Sequence, residues 1–346
     1  MIEHEQYMEL CIQLAKLAAG SVAPNPMVGA VLVHEGRIIG EGYHEKYGEA
    51  HAEVNCINSV SENDRALIEK SSLYVSLEPC SHFGKTPPCT DLIIRHKIHT
   101  VIVGCTDSFE EVNGKGIEKL KYAGVDVSTG MLENKCRELN KRFFTFHEKK
   151  RPYIILKWAQ SMNGKLGSGT TNRITISNEY TNRLVHKWRG EEAGILIGTN
   201  TAVYDDPALT NRLWEGNNPV RLVIDSNLRL PLSLHVFDGS VRTIVFNFIK
   251  HEEAENLLYY QLHGDLLSAI MLALYELNIQ SILVEGGAEL LQSLIDVGLW
   301  DEARVIINPQ LNIENGVESP QLKNAELIRQ DNLEGDLISY YRESEK

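Results

Sequence analysis

Apolar positions in the first forty residues change period once, and that change sets the pattern for the whole chain. Tyr7, Leu10, Cys11, Leu14, Leu17 and Ala18 recur at helical spacing and predict an opening amphipathic helix over 5–19. Pro24 and Pro26 end it. Short apolar runs then take over. Residues 28–33 and 37–41 read as two strands turning at Glu35-Gly36, and 73–77, 100–104 and 125–127 read as further strands. Between them, helices are predicted over 52–59, 90–96 and 117–122, with a closing helix over 133–146. The polar run from His147 to Pro152 breaks this rhythm and marks a boundary. Beyond it, strands are predicted at 153–158, 193–197, 220–225, 243–246, 281–284, 304–308 and 337–341. A Gly/Ser/Thr-rich loop spans 164–172, a helix 179–189, and a second helix opens after Glu285-Gly286-Gly287 and runs through 295. Strand–helix alternation in both halves predicts an α/β protein with mixed sheets between helices. The two domains expected are 1–147 and 151–346.

Composition narrows the class. A chain of 346 residues exceeds what one core usually supports, and 43% hydrophobic with 23% charged residues is ordinary for a globular protein. No apolar run approaches the roughly 20 residues that cross a bilayer, and the acidic start Met1-Ile2-Glu3-His4-Glu5 lacks a signal-peptide core. A cytoplasmic protein with no membrane partner is therefore expected. The net charge of −13 argues against nucleic acid but leaves room for a small phosphorylated ligand held by a few local cations. Of the six cysteines, Cys11, Cys56, Cys105 and Cys136 have apolar neighbours and read as core. Only Cys80 and Cys89 sit in loop contexts suited to a metal.

His51, Cys80 and Cys89 supply three ligands for a catalytic Zn²⁺ that keeps a fourth position for water. His51 is predicted at one helix start and Cys89 at another, so two N-termini face one point and favour thiolate. Glu53, two residues after the histidine, is placed to carry protons beside the metal. This is the H-x-E and P-C-x-x-C combination of zinc base deaminases, with the second cysteine nine residues after the first instead of three. A structural zinc site would need a fourth protein ligand, for which His82 is the only candidate in the loop. The second half has weaker signals. Gly198-Thr199-Asn200-Thr201 and Glu285-Gly286-Gly287 would let a backbone approach a phosphate, and no G-x-G-x-x-G fingerprint is present.

Taken together, Pro24-Asn25-Pro26-Met27-Val28-Gly29, Gly42-Tyr43-His44, His51-Ala52-Glu53 and the run from Glu78-Pro79-Cys80 to Cys89 resemble the bifunctional riboflavin-biosynthesis deaminase/reductase family. In the second half the runs 156–165, 205–212, Val223-Ile224-Asp225-Ser226 and Val284-Glu285-Gly286-Gly287 carry the same resemblance, which covers nearly the whole chain. It implies a cytidine-deaminase-like three-layer α/β/α domain followed by a dihydrofolate-reductase-like α/β domain, using Zn²⁺ and NADPH. The implied substrate is 2,5-diamino-6-(5-phosphoribosylamino)pyrimidin-4(3H)-one, deaminated on the ring and then reduced at C1′ of the opened ribose.

By the same resemblance, Asn25, His44, His82, Lys85 and Thr86 contact the deaminase substrate. Arg189, Leu209, Arg212 and Glu285 contact the reductase substrate, and Ala159, Thr175, Thr201, Asp205, Ser226 and Gly287 contact NADPH. Lys157 or Glu285 would handle the proton in the reduction, and the residues alone do not choose between them. Taken singly, Asn25 is equally a turn residue between prolines, Lys85 a surface charge, and the two arginines surface ion-pair partners. Two positions depart from the family pattern. Asp107-Ser108-Phe109-Glu110 replaces Asp-Pro-Asn-Pro, and Phe109 cannot supply an amide's hydrogen bonds. Asn163 stands where aspartate is usual in S-x-D-G. The alternative reading is a zinc deaminase for a nucleoside or tRNA base with a non-catalytic, ligand-binding second domain. Self-association into a homo-oligomer is left open.

Overall fold

The computed structural model describes residues 2–84, 87–109, 113–167 and 174–344. The chain forms two compact units, Met1–Lys149 and Lys150–Lys346. Among the described residues no helix is long and apolar enough to cross a membrane.

In the first unit, helix α1 (Ile2–Lys16) precedes strands β1 (Gly29–His34) and β2 (Arg37–Tyr43). Then come α2 (Ala52–Asn58), a 3₁₀ segment (Glu62–Lys70), β3 (Ser72–Leu77), α3 (Cys89–Arg95) and β4 (Thr100–Cys105). The unit closes with α4 (Lys115–Tyr122), β5 (Asp126–Thr129), α5 (Glu133–Leu139) and α6 (Lys141–Lys149). The sheet order is β2-β1-β3-β4-β5, with β1 antiparallel to both neighbours and β3, β4 and β5 parallel. One apolar cluster, including Leu32, Val75 and Ile93, lies between the sheet and α2, α3 and α4. A second, including Cys11, Tyr74 and Phe144, lies under α1, α5 and α6. Helix α2 approaches β2 so closely that a Cβ on Gly42 would stand 2.3 Å from the Cys56 nitrogen. The glycine is what lets the helix bearing His51 and Glu53 lie flat on the strand. The single helix expected over 133–146 is two helices. Buried Asn140 interrupts it, accepting from the Met27 N–H and donating to the Met27 carbonyl at 2.8 Å each, so its amide serves the 24–28 segment.

The second unit is built on ten strands. They are β6 (Tyr153–Ser161), β7 (Gly194–Ile197), β8 (Val220–Ile224), β9 (Thr243–Asn247), β10 (Glu252–Glu253), β11 (Leu257–Gln261), β12 (Ser281–Val284), β13 (Glu302–Asn308), β14 (Ala325–Leu333) and β15 (Asp336–Glu343). The helices are α7 (Glu179–Glu191), α8 (Thr199–Asp205), α9 (Leu266–Glu276) and α10 (Ala288–Asp296). Sheet order is β10-β11-β9-β8-β7-β12-β6-β13-β15-β14, parallel from β11 through β13 and antiparallel at both ends. Parallel strands buried on both faces explain the continuous Ile/Leu/Val runs. Three unexpected elements have physical reasons. Helix α9 is almost uniformly apolar and packs into the main core, so it has no polar stripe. Strand β14 is an exposed polar edge. Strand β11 is short and aromatic.

Candidate functional site

Strand β3 delivers Glu78-Pro79-Cys80 at its end, Cys89 opens α3, and His51 caps α2. The Nδ1 of His51 stands 3.5 Å from the Cys80 Sγ and 3.4 Å from the Cys89 Sγ. The Cys89 N–H donates to the Cys80 sulfur at 3.3 Å. The three ligand atoms lie within 4.8 Å of one another, and no other such group of three occurs among the described residues. His82 is not in the group. One imidazole and two sulfurs, with no fourth protein donor among the described residues, are the donor set of an open zinc site, so these residues fit the metal.

Their electrostatics point the same way. A hydrogen bond with Cys89, then that with His51, draws the Cys80 thiol down to about 4 against the opposing effect of burial. The same Cys80–Cys89 bond, then burial, pushes the Cys89 thiol up. Two sulfurs and an imidazole thus compete for protons that a cation would displace. Glu53, 3% exposed, shares a hydrogen bond with Cys89, and burial and then Cys80 raise its carboxyl above the usual range. A raised proton affinity suits a group that takes up and gives back a proton.

Around this centre, His44 is 2% exposed and its ring lies 5.3 Å from that of His51. Its Nδ1 meets the Ala50 carbonyl at 3.0 Å and its Nε2 meets the Asn25 side-chain nitrogen at 3.1 Å. The Nδ1 must donate and Nε2 accept, so the ring is the neutral tautomer, as burial also favours. Asn25 and His44 are therefore brought to the metal group. His82 presents a buried Nδ1 with no partner among the described residues, and its ring lies 6.3 Å from Phe109. Lys85 and Thr86 fall outside the described residues.

Glu78, unassigned by the sequence reading, ties the chain just before Cys80 to a later segment. Its carboxylate accepts N–H groups from Asp107 at 3.2 Å, Gly114 at 2.9 Å, Gly116 at 2.9 Å and Ile117 at 3.2 Å. A Cβ on Gly116 would lie 2.1 Å from the Pro79 carbonyl oxygen, so only glycine lets that loop seat on Glu78-Pro79. The Glu-Pro-Cys spacing was the visible signal; the partners, 29 to 39 residues away, were not.

In the second unit the candidate side chains stand near the carboxyl ends of parallel strands, where α/β sheets bind ligands. Glu285, just past β12, accepts from the Arg189 Nε at 2.7 Å and Nη2 at 2.9 Å, and from the Lys157 Nζ at 3.4 Å. All three are at least 85% buried as side chains, with exposures of 10%, 13% and 14%. Burial opposes ionisation of Glu285, but the charge of Arg189, then that of Lys157, outweighs it and holds the carboxyl far below the usual range. Arg189 also donates to the Thr210 carbonyl at 3.3 Å, and the Arg212 Nη1 donates to the Thr210 hydroxyl at 2.8 Å. Lys157, Arg189 and Glu285 thus form one buried charge cluster, and Arg212 is tied to it through Thr210. Leu209 is 2% exposed and packs with Ile195, Ile197 and Val223, so its contribution is to the loop's core. His186, also unassigned by sequence, accepts the Arg212 N–H on its Nδ1 at 2.8 Å.

Of the residues expected at NADPH, Ala159 is on β6, Thr201 and Asp205 are on α8, Ser226 follows β8, and Gly287 precedes α10. A Cβ on Gly287 would meet the Thr201 hydroxyl at 3.2 Å, which places those two side by side and leaves open backbone before the helix. Thr175 is exposed in the segment before α7, next to Ile176, whose carbonyl accepts from Asn308 at 2.7 Å. Glycine backbone and hydroxyls at strand ends fit a dinucleotide.

Residues 1–105 match the cytidine and deoxycytidylate deaminase zinc-binding region, and residues 152–312 match the RibD C-terminal domain. The riboflavin biosynthesis protein RibD of Aquifex aeolicus is 40% identical, with 98% of each chain covered. That of Escherichia coli is 32% identical over 94% of this chain and 96% of its own. The chain belongs to the RibD family. Among solved structures, a diaminohydroxyphosphoribosylaminopyrimidine deaminase/5-amino-6-(5-phosphoribosylamino)uracil reductase from Thermotoga maritima is 33% identical and superposes with a TM-score of 0.88, covering 99% of each chain. As a RibD-family member the protein is a bifunctional enzyme of riboflavin biosynthesis, a zinc-dependent deaminase and an NADPH-dependent reductase. Its fold is the deaminase-like α/β unit followed by the reductase-like α/β unit that the resemblance implied.

Proposed function

We propose that the first unit deaminates 2,5-diamino-6-(5-phosphoribosylamino)pyrimidin-4(3H)-one, and that the second reduces the resulting 5-amino-6-(5-phosphoribosylamino)uracil to the ribityl product, in the cytoplasm. The convergence of His51, Cys80 and Cys89 beside buried Glu53 carries this reading. These three residues would hold zinc, which would supply a Lewis acid able to make water nucleophilic near neutral pH. Glu53 would take one proton from the attacking water and deliver it to the ring nitrogen, then carry the remaining hydroxyl proton to the amino group, which leaves as ammonia while the carbonyl forms. Asn25 and neutral His44 orient the pyrimidine, and His82, Lys85 and Thr86 take the ribose-phosphate side.

In the second unit Ala159, Thr175, Thr201, Asp205, Ser226 and Gly287 would hold NADPH, which would supply the hydride. Glu285, kept ionised by its two cations, has no proton to give. Lys157 is therefore the donor to the opened ribose, and Glu285 holds it in place. Arg189 is engaged on Glu285 and on the Thr210 carbonyl, so Arg212, with its exposed head on the Thr210 hydroxyl, binds the 5′-phosphate. Leu209 shapes that loop.

A two-stage assay tests the scheme. Stripping zinc with a chelator is expected to abolish ammonia release while leaving NADPH oxidation intact when the deaminated substrate is supplied. Ammonia release persisting in protein shown by metal analysis to be zinc-free would refute the deaminase half.

A further inference from the structure

The loop that carries Arg212 is bent into an unusual path. Asp206 and Leu209 both adopt left-handed backbone, with φ of 38° and 52°. Non-glycine residues in that region persist only where surrounding contacts over-determine them. Among the contacts that hold this loop are four at residues 208–212. Buried Arg221 donates to the Ala208 carbonyl at 2.9 Å, Arg189 to the Thr210 carbonyl at 3.3 Å, and the Asn211 N–H to the Asn218 side chain at 2.7 Å. The last falls on Arg212 itself, whose N–H donates to the His186 Nδ1 at 2.8 Å.

His186 lies on α7 three residues before Arg189, on the same helix face and 6% exposed. A backbone N–H can only donate, so the Nδ1 it meets must carry a lone pair. The neutral ring then keeps its proton on Nε2. The charged groups around it are Arg189 on its own helix, Arg212 on the loop, Lys157 on β6 and Glu285 after β12. Burial first, then Arg189 and Arg212, depress its pKa to about 4, which agrees with the tautomer that the hydrogen bond dictates.

We propose that His186 is a positioning residue of the reductase, an imidazole whose Nδ1 accepts the Arg212 N–H and pins that backbone so that the guanidinium meets the substrate phosphate. The proposal rests on the reading of Arg212 as the phosphate ligand. It separates His186 from a merely structural histidine by the atom it needs. Asparagine can place its side-chain oxygen where Nδ1 stands, whereas glutamine reaches the Nε2 position.

The experiment uses the full-length, zinc-loaded protein and steady-state NADPH oxidation, with the phosphorylated substrate and its dephosphorylated counterpart. His186→Gln is expected to raise KM for the phosphorylated substrate roughly tenfold, the worth of one hydrogen bond, with kcat within about threefold. His186→Asn is expected to stay within about twofold of the natural enzyme, and neither variant should alter KM for the dephosphorylated substrate. In an Arg212→Ala background His186→Gln should add nothing, because the two act through one contact.

Equal losses in the Asn and Gln variants, or a full His186→Gln effect on top of Arg212→Ala, would overturn the proposal. An Arg212→Ala enzyme with unchanged KM would instead sink the phosphate reading and the proposal with it. Arg212→Ala raising KM while His186→Gln does not would sink the proposal alone. Should His186→Gln not fold, ¹⁵N NMR of histidine-labelled natural protein decides. An unprotonated Nδ1 at neutral pH supports the pin, and a protonated Nδ1 refutes it.

Discussion

The two units assemble their chemistry in different ways. In the first, the reactive groups sit within short stretches of chain: His51 and Glu53 share one helix start, and Cys80 and Cys89 bracket one loop. Soft donors at 3.4 to 3.5 Å make a site whose character is fixed by residue type. In the second, a lysine on β6, an arginine on α7, a carboxylate after β12 and an arginine on a loop come from four places, and none has an unusual function on its own. Their role follows from mutual charge compensation in a buried setting. The first site should therefore tolerate loss of its proton carrier without losing its fold, while the second should fail structurally when its central charge is removed.

The sharpest test of that contrast is Glu53→Gln. Removing a positioned general acid–base costs about 10²–10⁴-fold in rate, so ammonia release should fall by that order. Bound zinc and NADPH oxidation should stay at natural levels. Loss of zinc along with activity, read by metal analysis, would show that the first site is no more modular than the second. The matching change, Glu285→Gln, leaves Arg189 and Lys157 buried without their counter-charge. Breaking a buried pair in this way costs about 3–5 kcal/mol, so the second unit should lose hydrogen-exchange protection as well as reductase activity. A variant that keeps full protection but loses activity would break the comparison.

The same contrast explains what could be read from the sequence. The zinc group and Glu53 were legible because the chemistry needs those residue types at fixed short spacing, and most strands declared themselves as apolar runs. Asn140 was not legible, because its helix-like surroundings conceal that its amide pairs with Met27, 113 residues away. Glu78 stood in view beside Cys80, but its job depends on four N–H groups from a later loop. His186 looked like one more residue on a helix. Phe109 was recognised as a departure, and its ring packs 5.1 Å from that of His147, which no spacing rule connects. Helix α9 escaped because it carries leucine even at exposed position 272, so no polar stripe marks its outer face.

Glu78→Gln tests whether the first site is as local as it looks. An amide nitrogen would replace one acceptor and face N–H donors, costing about 1–3 kcal/mol at a buried position. The expected result is a deaminase with lower thermal stability and reduced kcat, still loaded with zinc, since His51, Cys80 and Cys89 are untouched. If zinc content falls in step with stability, the loop of 107–117 is part of the metal site and the first unit's chemistry is as distributed as the second's.

The smallest effect concerns acid, and its sign follows from His186. Its folded pKa of about 4 lies below the ordinary 6.5, so between those values the unfolded chain binds more protons than the native one. Stability of the second unit should therefore be complete above about pH 6.5 and decline as the pH falls towards 4, with a slope of at most about 1.4 kcal/mol per pH unit. Asp107 in the first unit acts in the opposite direction. Burial first, opposed by the Phe109 N–H and reinforced by Glu78, raises it from 3.8 to about 7, so its contribution is present at low pH and is lost as the pH rises through 7. Hydrogen exchange followed from pH 4 to 8 separates the two units in one experiment. His186→Asn should flatten the decline with falling pH in α7 alone, and Asp107→Asn should flatten the decline with rising pH, between about 4 and 7, around β4 alone. If either substitution flattens neither limb, burial of that group is not what gives its unit its pH dependence.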